Sequence, residues 1–407
     1  MTSRTLSFVV TLALCAGCRS TDALSPAAWP VTDVGTPSGN LTNGCVADYS
    51  PGVDYFPAKV SVQEAQSFRV TYHGHYKVID FVPDVGSQET ARYVLVQCGT
   101  PVPPGAEGDH VISVPVARFV LAKAEFSSLV ATLGLQDRLV GISSIASIAD
   151  PDIIRRYDQG LIAAVGSGTH SAIELALAVD PDVVFTWYSA FADANMHPKL
   201  WDVGISAVPL ADHFEPTPLG RSEWMKFFGL FFNEEQHVEE AFTGIAGRYR
   251  ALAARAVQVS HRPKVLLGWP STRQQWALNG GRNYMARMVE DAGGTYVWTS
   301  DSSRSLDLAH IEQVFDLAAE AEVWVGNQLG HDTLGALAAD DPRLALFGPV
   351  ERRRVFGNDL GRLPSGAFPL ANESIGRPDA VLADIIRILH PDLLPAHALT
   401  FHHELPQ

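Results

Sequence analysis

Gly166-Ser-Gly-Thr-His-Ser-Ala-Ile-Glu-Leu-Ala-Leu-Ala-Val-Asp-Pro-Asp-Val-Val-Phe185 carries the plan of the fold. Gly166 and Gly168 mark a turn, and the apolar stretch around Glu174 has the length and composition of a short helix. Pro181 stops that helix, and Asp182–Phe185 reads as a buried strand. The other half of the chain repeats the plan. Glu312 opens a helix that runs through Ala321 into the strand Glu322-Val-Trp-Val. Two halves, each with a glutamate one short helix ahead of a core strand, describe a two-lobed binding protein rather than an enzyme.

Working outward, 407 residues are too many for one ordinary core, so two domains are expected. From Val111 short strands alternate with helices: Val111–Val116, a helix over Phe126–Leu133, Leu139–Ser143, Ala163–Gly166, Val183–Phe185 and Ala207–Leu210. This alternation predicts a parallel sheet covered on both faces. Residues 219–257 form the longest helical stretch. Its aromatic stripe (Trp224, Phe227, Phe228, Phe231, Phe232) has core spacing, and Gly229, Gly244 and Gly247 allow one break. A second βαβ set starts at Pro263, with strands at Lys264–Trp269, Glu322–Asn327 and Arg353–Phe356, a helix over Tyr284–Gly294 and a last helix over Ala380–Leu389. Residues 45–110 read as β, with a hairpin over Phe68–Phe81 turning at Gly74. The expected organisation is α/β: two Rossmann-like lobes with parallel sheets (111–218 and 259–407, the second including the tail), joined by a long backbone helix (219–258), with a β-rich N-terminal extension (45–110) behind a flexible linker (19–44).

Net charge is −15, which argues against a nucleic-acid partner because phosphate neutralisation needs a basic patch. Met1–Arg4 is a short basic start, and Leu6–Ala16 is an apolar run of signal-peptide length, too short for a permanent membrane helix. It ends in Leu14-Cys15-Ala16-Gly17-Cys18, which resembles a bacterial lipoprotein cleavage box with Cys18 as the lipidated residue and residues 1–18 as the signal. Cleavage by the ordinary signal peptidase is the competing reading. Export leaves Cys45 and Cys98 as a pair in an oxidising compartment, and a disulfide is the simplest expectation, against two separate thiols.

Catalytic signatures are missing from the sequence: no G-x-S-x-G, no H-E-x-x-H, no phosphate-binding loop and no G-x-G-x-x-G opening a helix. None of the 14 histidines falls in a compact ligand spacing. His73 and His75 flank a turn, and His402-His403 reads as a solvated tail, so no protein-held metal and no cofactor are expected.

The spacing Glu174-x6-Pro181-Asp182-Val-Val resembles the solute-binding proteins of ABC importers for ferric siderophores, haem and cobalamin. Leu133–Ile142, Pro218–Phe228, Met285–Gly294 and Arg377–Leu393 follow the same family in order and spacing. The resemblance implies two lobes on a backbone helix, one ligand in the interlobe cleft and a small closing motion. It implies a monomer held to the membrane by its lipid, with a metal chelate and ABC permease subunits as partners. A ferric siderophore leads among ligands, followed by a corrinoid and by haem. The rivals are a two-lobed α/β enzyme using the cleft and a structural surface lipoprotein. The bare-metal branch of importer proteins is disfavoured, since it needs three or four convergent ligands.

Ligands of parallel α/β lobes sit at the carboxyl ends of the strands. That places Arg118, Phe119, Thr169, His170, Trp187, Tyr188 and His213 at the cleft from the first lobe. From the second come Trp269, Arg273, Arg282, Tyr284, Asn327 and Gln328. Aromatics suit a large planar ligand, and arginines suit its anionic oxygens. The resemblance also assigns Glu174 and Glu312, one per lobe, to docking on the permease. The bland reading of both is a carboxylate at a helix N-terminus.

Overall fold

A computed structural model describes residues 30–32, 37–83, 90–166, 170–272, 274–326 and 330–407. The proposed lipid site Cys18, together with Thr169, Arg273, Asn327 and Gln328, lies outside the described residues, as does the side chain of His170. Among the described residues no helix is long and apolar enough to cross a membrane.

Each lobe is built on a five-stranded sheet. In the first, the order is Ala207–Leu210, Val183–Trp187, Phe119–Leu121, Leu139–Ile142, Ala163–Ala164, all parallel. In the second, Thr295–Tyr296, Lys264–Leu267, Val323–Val325 and Val355–Gly357 are parallel, and His403–Glu404 closes the edge in antiparallel register. The central strands Val183–Phe185 and Val323–Val325 are buried, which is why the sequence shows continuous apolar runs rather than alternation there.

The acidic residue ahead of each central strand has the same task in both lobes. Asp182 Oδ2 accepts the backbone N–H of Ala117 (2.9 Å) and of Arg118 (2.8 Å), just before the neighbouring strand. Glu322 Oε1 accepts the N–H of Lys264 (3.1 Å), the first residue of its neighbouring strand. Longer Glu serves where Asp stands in the other lobe, so the repeat survives a change of residue.

Of three findings, the first revises the sequence reading and the other two complete it. First, the strand expected to open the first lobe, His110–Val114, pairs in parallel with Ala91–Gln97 and belongs to the extension. The extension sheet runs Phe68–His73, Tyr76–Phe81, Ala91–Gln97, His110–Val114, and the first lobe begins at Phe119. Alternation alone does not say which neighbour a strand chooses. Second, the connector is two helices, Pro218–Leu230 and Glu235–Ala256, broken where Asn233 takes φ 60°. Gly229 lets them close: a Cβ there would lie 2.7 Å from Val238 Cγ1. Third, a small antiparallel sheet (Trp269–Pro270, Gln275–Asn279, Leu306–His310) decorates the second lobe.

Every residue of Pro218–Leu230 is buried, including Arg221, Glu223 and Lys226. The extension is the cover. Glu223 accepts the N–H groups of Gln63, Glu64 and Ala65, and Glu215 accepts those of Gln66 and Ser67 (2.9 and 3.0 Å). Phe68 packs edge-on against Trp224 and Phe227, with centroids 5.4 and 5.1 Å apart. Lys77 is fully buried against Glu235. A buried carboxylate is tolerable only with such donors, so extension and connector require each other. Within the extension, Cys45 and Cys98 form a disulfide with Cα atoms 4.6 Å apart.

Candidate functional site

A cavity of about 260 Å³ lies where the carboxyl ends of strands from both lobes meet the first turn of the connector. His213 follows the strand Ala207–Leu210, and Pro218 and Arg221 come from the connector. The second lobe provides most of the wall. Leu267, Gly268 and Trp269 continue one strand, and Val325 and Gly326 end another. Asn279 ends the strand Gln275–Asn279, and Asn283, Tyr284, Met285 and Met288 come from the loop and helix after it. Asn358, Ser374, Val381 and His402 are also on the wall.

The polar end is a buried charge cluster. Asp212 pairs with Lys123 and accepts from Arg221 Nε at 3.0 Å. Arg221 also donates to Ser374 Oγ (2.9 Å), and its guanidinium lies 4.7 Å from the centre of the Tyr284 ring. Burial opposes ionisation of Asp212, but Lys123 and Arg221 outweigh it and hold the carboxyl below its ordinary range. Lys123 Nζ lies 3.1 Å from His213 Nδ1. Burial, then Lys123, pushes His213 down to about 3, so its ring is neutral and Nδ1 accepts from the lysine. Trp187 stacks on the outer face of His213 at 5.4 Å, nearly parallel.

The other end is held by the C-terminal segment. Asp384, buried in the helix Pro378–Leu389, accepts the backbone N–H of Phe401 (2.8 Å), of Thr400 and of His402 (3.2 Å). It also accepts from His397 Nε2 (2.7 Å) and His402 Nδ1 (3.0 Å). Burial raises the Asp384 carboxyl, but the bond from His402 and the amides prevail and bring it down to about 2. The expected solvated tail is therefore a structural element: His402 is 1% exposed and His403 sits in the edge strand.

The sequence-based site residues divide accordingly. Trp269, Tyr284 and His213 line the cavity, and Trp187, partly exposed, stacks on His213 at its edge. Phe119 and Tyr188 do not: Phe119 is fully buried in the first lobe's core, and Tyr188 packs on Phe81 and Phe214. Phe119 opens its strand, at the amino end rather than the carboxyl end that faces the cavity, and Tyr188 follows the carboxyl end of its strand but packs into the core. Arg118 binds the carbonyls of Val179 and Asp180, and Arg282 is exposed away from the cavity wall. Asp212, Arg221, Asn283, Ser374 and His402 escaped the sequence reading. A charged residue inside an apolar helical stripe, as at Arg221, was the available signal.

Glu174 is exposed in the middle of the helix His170–Ala178, not in its first turn, so a helix-terminus role does not explain it. Glu312 does lie in the first turn of Ile311–Glu320, largely exposed, 3.9 Å from Arg343. Of the hairpin histidines, His73 stacks on Tyr76, and His75 Nδ1 lies 3.3 Å from the Tyr49 hydroxyl.

Residues 120–356, more than half of the chain, match the profile of a family described as periplasmic binding protein. An uncharacterized lipoprotein of Methanocaldococcus jannaschii is 25% identical over 319 residues, covering 74% of this chain and 73% of the relative. Among solved structures, a periplasmic haem-binding protein of Pseudomonas aeruginosa superposes with TM-score 0.52 at 20% identity, over 68% of this chain and 93% of the other. A molybdate-binding periplasmic protein of Haemophilus influenzae gives TM-score 0.54 at 18% identity, over 70% and 89% of the two chains.

Proposed function

The chain belongs to the periplasmic binding protein family, and from that premise we propose that it is the lipid-anchored receptor of an ABC importer. Its ligand is a metal chelate of the ferric-siderophore type, with a corrinoid or haem as the other occupants of the same role. It takes the chelate into the interlobe cavity and hands it to the permease. The observation that carries this reading is the cavity itself. Its walls are mostly apolar and aromatic, and a few buried polar groups from both lobes converge on it, the composition of a small-molecule site. Trp269 and Tyr284 offer flat faces to a large chelate. Arg221, backed by Lys123, puts positive charge at the end where an anionic donor oxygen would lie.

Binding needs no reaction, so the site needs orientation rather than a nucleophile. The polar groups here are tied to one another through Asp212 and Asp384, which fixes their geometry before a ligand arrives and lowers the ordering cost of binding. Protein purified from its host without denaturation, examined by native mass spectrometry and visible absorption, should carry a chelate whose chromophore names its class. Readdition of that chelate to stripped protein should raise the melting temperature, because a ligand of the native state alone must stabilise it. Protein that gains no stability from chelates of all three classes would sink the proposal. Replacing Cys18 with Ser should release the protein from the membrane fraction, and unchanged membrane association would remove the lipid anchor.

A further inference from the structure

The small antiparallel sheet of the second lobe has one face in the core and one turned outward. Trp276, Leu278 and Ala309 are buried in the core on the inner side. Residues two apart along a strand share a face, and directly paired residues share it too. The outer face therefore consists of three rows: Asn279 beside Leu306, Ala277 beside Leu308, and Gln275 beside His310. Trp269 flanks Ala277 in the middle row.

This face begins in the cavity and runs out of it. Trp269, Asn279 and Leu306 are on the cavity wall, and Leu308 and His310 lie beyond it. Leu306 is 48% exposed and Leu308 58%. Single exposed leucines need no occupant. These two are successive on one face of an edge strand, and the first already belongs to the cavity. Edge strands of natural proteins are usually blunted by charge or proline, and the first two rows here carry neither.

The last row opens on a polar notch lined by Thr272, Gln274, Gln275 and His310. Its turn is fixed: Thr272 Oγ1 accepts the N–H groups of Gln274 (3.2 Å) and Gln275 (3.0 Å), and the Gln274 carbonyl accepts that of Ile311 (3.0 Å). From Leu306 to His310 the strand covers about 13 Å at its usual rise. The cavity itself holds about 260 Å³. Pockets that enclose a drug-sized ligand hold roughly 300–1,000 Å³. A siderophore-type chelate seated there by its metal head has part of its body outside, and the leucine row is apolar surface continuous with the wall.

We propose that Leu306 and Leu308 form a subsite for an apolar arm of the chelate. The ligand is then amphiphilic, with its metal head in the cavity and an acyl-type chain laid along the sheet as far as the polar notch. This inference rests on the proposed function and narrows its ligand class. The notch sets a length limit, because a chain that reaches Gln275 and His310 gains no further apolar contact.

The test uses the ferric complexes of a tris-hydroxamate and a tris-catecholate, each acylated at one terminal amine with an acetyl, a decanoyl or a hexadecanoyl group. Haem and cobalamin serve as chelates without such an arm. Affinities are read from quenching of tryptophan emission, below the concentrations at which the acylated forms aggregate. For at least one head, the wild type should bind the decanoyl form at least tenfold more tightly than the acetyl form, a gain that burial of about two methylenes supplies. The hexadecanoyl form should bind no better than the decanoyl form. Leu308→Asp should abolish the preference and leave the affinity for the acetyl form unchanged, which also shows that the variant is folded. If Leu308→Asp loses the acetyl form too, the milder Leu308→Ser decides by the same ratio. Equal affinities for acetyl and decanoyl forms in the wild type overturn the inference and leave the receptor reading intact. A preference that survives at Leu308, or that keeps rising with hexadecanoyl, overturns it as well, because the arm then lies elsewhere or adheres without a defined site. A wild-type dimer in sedimentation that Leu308→Asp dissolves gives the leucine row to a second copy and has the same result. If only haem or cobalamin binds, the inference falls by itself. If no chelate binds, both readings fall together.

Discussion

Two buried aspartates organise the polar groups around the cavity, and they are satisfied in different ways. Asp212, in the first lobe, is neutralised by two cations, Lys123 and Arg221. Asp384, in the second, is satisfied chiefly by backbone amides and imidazoles of the C-terminal segment. The first arrangement concentrates charge beside the cavity. The second anchors a stretch of chain and aims one ring. The two lobes share a topology, yet one end of the site is electrostatic and the other is a matter of backbone placement.

The contrast predicts unequal penalties. Asp212→Asn leaves Lys123 and Arg221 buried against a neutral amide, and an uncompensated buried charge costs about 3–5 kcal/mol. Chemical denaturation should show that loss. The sign with pH follows from the depressed carboxyl: its stabilisation is present above the unfolded value of 3.8 and fades as the pH falls below it. His213 adds to acid lability, because the unfolded imidazole takes up a proton near 6.5 that the folded one refuses until about 3. Stability should therefore decline from about pH 6.5 downward, and His213→Asn should flatten the upper part of that decline. A flat profile in the parent would mean the cluster is open to solvent.

Asp384→Asn should cost less, about 2 kcal/mol, the equivalent of moving a carboxyl from 3.8 to about 2. That contribution is complete above pH 3.8 and lost as the pH falls toward 2. Hydrogen exchange should localise the effect to residues 397–405. A loss as large as that of Asp212→Asn would erase the distinction drawn between the two ends.

The cavity edge sharpens the comparison by affinity rather than stability. Trp187→Ala removes the ring stacked on His213, and an aromatic contact of that kind contributes about 0.5–1.5 kcal/mol, at most roughly tenfold in Kd. Arg282→Ala should leave Kd unchanged, since its side chain is exposed and not on the wall. The reverse order would place the ligand on the outer surface of the second lobe.

These distinctions were only partly legible in the sequence. The two-lobed α/β plan was, because Pro181-Asp182-Val-Val and Glu322-Val-Trp-Val each announce a buried central strand by continuous apolar residues. Trp269, Tyr284 and His213 were also legible as strand-end or helix-start residues. Tyr188 shows the limit of that rule: neighbouring residues at a strand end point to opposite faces, and only packing says which face is the core. Phe119 fails differently, because the strand before it joins the extension and Phe119 opens its own strand instead of ending one. His402 was illegible for another reason. Its burial depends on a hydrogen bond to Asp384, 18 residues earlier, and on an edge pairing with Val355–Gly357. A two-residue strand near a chain end leaves no periodicity to read.

The smallest effect on the folded protein is expected at Glu174 and Glu312, one on each lobe's surface. We propose that they meet cationic groups of the permease subunits, one lobe to each. Glu174 is exposed on its helix, and Glu312 has Arg343 3.9 Å away, a surface pair worth at most about 1 kcal/mol. Reversing both (Glu174→Arg, Glu312→Arg) should therefore shift stability by less than about 1 kcal/mol and leave chelate affinity unchanged. Uptake in cells should nevertheless be abolished, because two reversed charges repel a partner surface that two glutamates attract, and rim charges govern encounter and its salt dependence. The single reversals then separate the lobes: if each alone halves or worse the uptake rate, both lobes dock, whereas a null effect of Glu312→Arg would leave Arg343 as its proper partner and docking to the first lobe. Normal uptake by the double variant would end the docking role, and lost chelate affinity would move these glutamates from the surface into the coupling of the cavity.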